Sequence, residues 1–133
     1  DLAKLREEVL AMRLRMVDAH PNKAEGLFDL KHDRGGLIDV EFIVQYLVLG
    51  YSHQHASLTG NLGNIALLRM ATELGLIPAE LAGAVADTYR EYRRLQHGLR
   101  LNNQISRVDR ELVTERAAGV RRLWNIVFSD SLA

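Results

Sequence analysis

Lys31 stands four residues ahead of the doublet Gly35-Gly36, and the doublet opens a strongly apolar segment from Leu37 to Tyr51. A lysine placed there is a plausible anion site. Glycines permit close approach, the free N–H groups of a helix start attract negative charge, and the ammonium adds its own. The spacing matches neither a phosphate-binding loop nor a dinucleotide-binding turn. On that physics alone the plainer outcome is a turn made by the glycines, a helix start favoured by Asp39, and a solvated Lys31. Asp39 and Glu41 are two residues apart, so a helix points them to nearly opposite sides and they cannot form a shared carboxylate pair. One is thereby free to meet a partner domain while the other holds its own loop.

A second set of candidates is Arg90, Arg93, Arg94, His97 and Arg100, which a helix would place opposite Tyr89 and Tyr92. Such a face could meet a partner protein, an acidic regulator or nucleic acid. Asp87 and Glu91 offer a simpler use, as salt-bridge partners on the helix surface. Overall neutrality argues against nucleic acid, whose binding normally needs a distinctly basic domain. His32, His53 and His55 do not make a metal site: histidines at i, i+2 share no helix face, and no cysteine or clear acidic third ligand is near. Trp124, Tyr89, Phe128, Met12, Met16 and Met70 read as packing residues.

The elements that must position these side chains read as helices nearly throughout, with no convincing alternating strand. A first helix is predicted from about Leu2 to Ala19, capped by Asp1 and burying Leu2, Leu5, Val9, Met12 and Met16. A polar connection from Asn22 to Gly36 leads to Leu37–Tyr51, where Phe42, Ile43, Tyr46, Leu47 and Val48 cover so much of the circumference that this helix should be central. His53 to Asn64 reads as a loop, with turn chemistry at Thr59-Gly60-Asn61 and Gly63-Asn64. A helix from about Ile65 to Leu74 is closed by Gly75. A long one starts at Pro78 and runs to about Leu101, and a last one covers Glu111 to Phe128 with Val113, Ala117, Val120, Leu123, Trp124 and Val127 inward. The expected fold is all-α, a single domain over residues 1–133 made of five or six mostly antiparallel helices in a compact bundle.

Composition agrees with one globular domain. The 133 residues carry 17 basic and 17 acidic side chains, 47% hydrophobic residues and no cysteine. A chain of this size buries roughly 68% of its unfolded surface, so it needs no metal or disulfide staple. The lack of cysteine removes thiolate chemistry and any argument for an oxidising compartment, which leaves a cytoplasmic expectation. No membrane span or signal pattern is expected, because polar residues and glycines interrupt the long uncharged stretch from Phe42 to Leu68. Charge is uneven. Residues 37–85 hold one arginine against four acids, a net of −3, whereas residues 86–133 hold nine arginines against six acids, a net of +3. The first residue is aspartate rather than methionine, so the chain is expected to be an excised piece of something longer.

The string Asp29-Leu30-Lys31, three spacer residues, then Gly35-Gly36-Leu37-x-Asp39-Val40-Glu41-Phe42-Ile43-x-Gln45 resembles the signature of the helical domain that follows the catalytic domain in glutamine synthetase adenylyltransferases. A looser version is similar to one in the PII uridylyltransferases. Tyr46-Leu47-Val48-Leu49 resembles the carboxy-terminal, adenylyl-transferring half of the former, and the segment Met12-Arg13-Leu14-Arg15-Met16 resembles the family's segment before this signature. The resemblance implies a domain supporting Mg²⁺-dependent transfer of AMP from ATP to a tyrosine of glutamine synthetase, with the preceding nucleotidyltransferase domain as neighbour. The family's catalytic Gly-Ser-x-x-(Asp/Glu)-x-Asp motif is absent: the chain has no Gly-Ser dipeptide, so it carries no catalytic or metal residue and is expected to be inactive alone, binding neither Mg²⁺ nor ATP by itself. The signature positions implied to border the nucleotide pocket or the domain interface are Lys31, Gly35, Gly36, Asp39, Glu41 and Gln45. Lys31 and the helix start would approach the phosphates, and Glu41 and Gln45 would face the catalytic domain. Arg90, Arg93, Arg94 and Arg100 remain a candidate partner surface. The alternatives are an interaction module for the PII protein or glutamine synthetase, and the corresponding domain of a PII uridylyltransferase.

Overall fold

In the computed structural model, which describes residues 1–59 and 63–128, the chain is an all-α bundle. Its helices are α1 (Leu2–Ala19), α2 (Leu37–Tyr51), α3 (Asn64–Glu73), α4 (Ala79–Leu101) and α5 (Thr114–Phe128), with 3₁₀ turns at Ala56–Thr59 and Arg110–Leu112. The turn expected at Gly60-Asn61 lies outside the described residues. The Asp1 side chain caps α1 by accepting the Ala3 N–H at 3.1 Å. Gly75 closes α3 at φ +76°, a conformation that costs glycine nothing.

α2 packs against α1, α3, α4 and α5 and buries eight residues, so it is the central helix its apolar run predicts. The buried cluster joins Phe28 and Leu30 to the inner faces of α2, α3, α4 and α5, and Leu2, Leu5, Val9 and Leu10 of α1 pack against it. One continuous core therefore spans every helix, and the chain has what it needs to fold by itself. All six residues expected to face inward from the last helix are buried, five of them on α5 and Val113 just before it, because the helix starts at Thr114 after the 3₁₀ turn rather than at Glu111. On α4 the buried stripe runs through Ala82, Val85, Tyr89, Tyr92 and Gln96, and Leu81, Leu95 and Leu99 flank it half-buried.

Two features depart from the helical reading. Leu27–Asp29 (β1) and Arg107–Asp109 (β2) pair antiparallel, Phe28 opposite Val108 and Asp29 opposite Arg107. This short ladder ties the connection after α1 to the connection after α4. In α1, Met12 is 50% exposed, not a packing residue, and the one fully buried side chain is Arg13.

Tyr92 has a fully buried phenol with no hydrogen-bond partner among the described residues. Burial pushes its pKa well above the ordinary 10.0, Arg116 and Arg121 oppose the rise, and Asp39 adds to it. Tyr89 and Tyr46 are also raised, again chiefly by burial. The unfolded chain therefore loses these protons first. The stabilising difference is intact below pH 10 and shrinks above it, by about 1.4 kcal/mol per pH unit for each such group. Tyr92→Phe loses no hydrogen bond, so its stability at neutral pH should stay within about 1 kcal/mol of the parent. Its decline near pH 11 should be shallower, by about one proton's worth of slope in denaturant unfolding. An unchanged alkaline slope would show that Tyr92 does not contribute.

Candidate functional site

The connection from β1 into α2 is built around carboxylates that point back into their own loop. Asp29 Oδ1 accepts the N–H groups of Lys31 (2.9 Å) and His32 (3.0 Å), and its Oδ2 lies 3.4 Å from His32 Nδ1. Asp33 Oδ2 accepts from Asn22 Nδ2 (2.8 Å) and from the Asp29 N–H (2.9 Å). The third carboxylate, Asp39, is completely buried. It accepts Arg13 Nε at 2.6 Å, Arg34 Nε at 3.1 Å and the Gly35 N–H at 2.7 Å. Arg13 Nη2 in turn donates to the His32 carbonyl at 2.8 Å, while Arg13 Nη1 is buried without a partner among the described residues.

Arg13 is 2% exposed, so α1, the loop and α2 are fastened by a guanidinium–carboxylate pair sealed from water. Such a pair fixes geometry more than it adds net stability. Arg34 reinforces it from the rim, its guanidinium 4.7 Å from the Trp124 ring centroid, which links the loop to α5. The sequence signal for Arg13 was a charge at i, i+4, i+7 with Val9 and Met16, on the stripe expected to be apolar.

Asp39 thus holds its own loop, one of the two uses open to it. At the glycine doublet the helix start closes on its own loop. Both glycines are buried, the Leu37 N–H is taken by the Leu30 carbonyl at 2.8 Å, and the Ile38 N–H by that of Lys31 at 3.2 Å. The donors a phosphate would use are already satisfied by the loop. Gly35 instead lets α5 approach, and Gly36 lets the loop fold onto itself.

Glu41 and Gln45 do not present one outward face. Half-buried Glu41 accepts the Tyr89 hydroxyl at 3.1 Å, and that hydroxyl also receives Asn64 Nδ2 at 2.9 Å, so Glu41 joins α2 to α4 and α3. Gln45 is exposed in a groove of about 220 Å³ between α1 and α2, beside Leu5, Met12, Phe42 and Leu49.

On α4, Arg90, Arg93, Arg94, His97 and Arg100 are all exposed. Arg90 pairs with Asp87 at 2.9 Å and Arg94 with Glu91 at 2.6 Å, the surface pairing that the i, i+3 spacing permits. Arg100 is brought elsewhere, to a cleft shared with Lys31. His32 stacks on His20, ring centroids 4.0 Å apart, and no group of three or more potential metal ligands occurs among the described residues. No described helix is long and apolar enough to cross a membrane.

A model of the family described as GlnD PII-uridylyltransferase matches residues 3–126. The chain is 60% identical over 131 residues, 98% of its length, to a protein of Aromatoleum aromaticum named bifunctional glutamine synthetase adenylyltransferase/adenylyl-removing enzyme. Proteins of the same name from Nitrosomonas europaea and Bordetella bronchiseptica are 50% identical over 143 residues and 53% over 136, covering 96% and 98% of this chain. The chain spans 14%, 15% and 14% of these three relatives, about one seventh of their length.

Proposed function

This chain belongs to the GlnD PII-uridylyltransferase family, and from that premise we propose that it is the helical domain that follows the nucleotidyltransferase domain of a glutamine synthetase adenylyltransferase. In that role it supports transfer of AMP from ATP to a tyrosine of glutamine synthetase, in the cytoplasm, under regulation that includes the PII protein. The relatives it matches carry the adenylyltransferase name, which favours this reading over a uridylyltransferase domain. A separate interaction module draws on the α4 arginines, but Asp87 and Glu91 already neutralise two of them.

The observation that carries the proposal is the sealed Arg13–Asp39 pair, which fixes the loop backbone from which the exposed Lys31 extends. A rigid support of this kind is what a positively charged side chain needs if it is to orient a substrate phosphate. Bound Mg²⁺ would supply charge neutralisation and orientation of the attacking hydroxyl. The carboxylates around this loop do not fit that ion, because Asp29, Asp33 and Asp39 are each closed on nearby donors, and no group of three or more candidate ligands occurs among the described residues. In this proposal the metal belongs to the neighbouring domain, and this domain contributes the wall.

Lys31→Ala in the longer enzyme should raise the KM for ATP by about tenfold, the loss of one charge-assisted contact, with a smaller change in kcat and an unaltered melting curve. Unchanged kinetics would remove Lys31 from the nucleotide pocket.

A further inference from the structure

We infer that the cleft between the end of α1, the turn after β1 and the connection from α4 to β2 is a binding site for a small, multiply charged phosphate anion, held by Lys31, Arg100 and Arg107. The cleft encloses about 630 Å³, within the range of small-molecule sites, and His20, His32 and Gln104 complete its polar wall.

Cations without an ionic partner also occur elsewhere on the surface, but here three of them line one cleft. Arg13, Arg34, Arg90, Arg94 and Arg110 all have carboxylates within 4 Å. Lys31, Arg100 and Arg107 have no ionic partner among the described residues, although they converge on one space. The single carboxylate lining the cleft, Asp29, spends its oxygens on the Lys31 and His32 amides and the His32 ring. Three permanent cations therefore face one engaged anion. Converging like charges are unfavourable until a counter-charge arrives, and a single carboxylate ligand would balance only one of them. A phosphate group offers several oxygens and more than one charge, and guanidinium forks match its geometry.

The walls are held before any ligand arrives. Asp29 lies opposite Arg107 in the ladder, and the Leu30 N–H donates to the Ser106 carbonyl at 2.9 Å, so the Lys31 and Arg107 sides cannot drift apart. On the Arg100 side, Asn103 at φ +56° turns the chain sharply and the Gln104 N–H closes on the Leu99 carbonyl at 2.8 Å. Preformed walls reduce the ordering cost of binding.

The inference shares Lys31 with the proposed function and rests on that reading only for which phosphate is met in the enzyme. The cleft itself is formed wholly within this chain, so the chain alone can be tested. Inorganic pyrophosphate, ATP and adenosine, without divalent metal, are titrated into it while amide chemical shifts and heats are recorded. Pyrophosphate should shift the amides of Lys31, His32, Ser106 and Arg107 saturably, and more weakly as ionic strength rises. Lys31→Ala and Arg107→Ala should each weaken binding about tenfold, Arg107→Lys should retain part of it, and Arg93→Ala should leave it unchanged. Pyrophosphate and ATP binding equally would identify a site for free phosphates. Tighter ATP would identify one for a nucleotide's phosphate tail. Both outcomes sustain the inference.

No saturable response to pyrophosphate, equal binding of adenosine, or indifference to both alanine variants would overturn it. Should Arg107→Ala unfold, the exposed Lys31→Ala still decides. Pyrophosphate binding with an unchanged KM for ATP in the Lys31→Ala enzyme would leave the cleft standing and end the nucleotide role. A changed KM without pyrophosphate binding would do the reverse.

Discussion

Asp39→Ala should lower folding stability by about 3–5 kcal/mol, the cost of breaking a buried ion pair from one side. Against the 5–15 kcal/mol typical of a domain, that is a large share. Arg13 would remain 2% exposed with only the His32 carbonyl to meet its guanidinium, and its Nη1 already lacks a partner. The Gly35 N–H would be orphaned at the same time. Arg34 adds little to the loss, since it is 39% exposed and water replaces its partner. Adding Arg13→Met to Asp39→Ala should recover part of the stability, because an apolar side chain of similar length removes the uncompensated charge. Denaturant midpoints of the two single variants and the double variant measure this coupling directly. A loss below about 1 kcal/mol for Asp39→Ala would mean that water reaches Arg13 and the pair is not sealed.

The same residues show how far the sequence could be read. α1 and α2 begin and end where capping and apolar periodicity place them, because Asp1, His20-Pro21 and the glycine doublet are strong local signals. β1 and β2 are three residues each, too short for alternation to register, and they pair across almost eighty residues, so only tertiary contacts reveal them. α4 shows the limit of periodicity. Gln96 takes an inward position beside Ser106 at 3.4 Å where the apolar pattern favours Leu95 or Leu99.

The site was legible as a segment but not as an arrangement. The string from Asp29 to Gln45 marks the right loop, yet its members separate into fasteners and exposed groups according to what surrounds them. Asp39 turns inward because Arg13 is there to neutralise it, and Glu41 turns toward α4 because Tyr89 and Asn64 offer a hydrogen-bonded pair. Arg100 and Arg107 join Lys31 only because the ladder folds the end of α4 beside the turn after β1. No spacing rule connects residues 31, 100 and 107.

Gly35→Ala is the second substitution with a large expected effect, and two other glycines separate its causes. At Gly75, φ is +76° and an added Cβ meets nothing within 4 Å, so Gly75→Ala should cost only the left-handed backbone, about 1–2 kcal/mol. At Gly36 the backbone is extended, φ −96° and ψ −163°, which any residue adopts. There the added Cβ would lie 2.6 Å from the Leu30 carbonyl oxygen and 2.9 Å from that of Asp33, so Gly36→Ala should cost about 1–3 kcal/mol through overpacking against backbone. Gly35 combines both faults. Its φ is +90°, and a Cβ would meet the Ala117 carbonyl oxygen at 2.8 Å and the Ala117 Cβ at 2.9 Å. The expected loss is about 2–5 kcal/mol, larger than at either control. Because α5 must retreat to admit the methyl group, and Arg34 sits over Trp124 of α5, the loop should loosen as well as the core. Ala117→Gly removes one of the two colliding groups and leaves the backbone oxygen, so it should rescue Gly35→Ala in part and Gly36→Ala not at all. Unfolding midpoints of the three glycine variants, each with and without Ala117→Gly, decide the matter. Equal losses at Gly35 and Gly75 would show that α5 yields freely and that the doublet serves the turn alone.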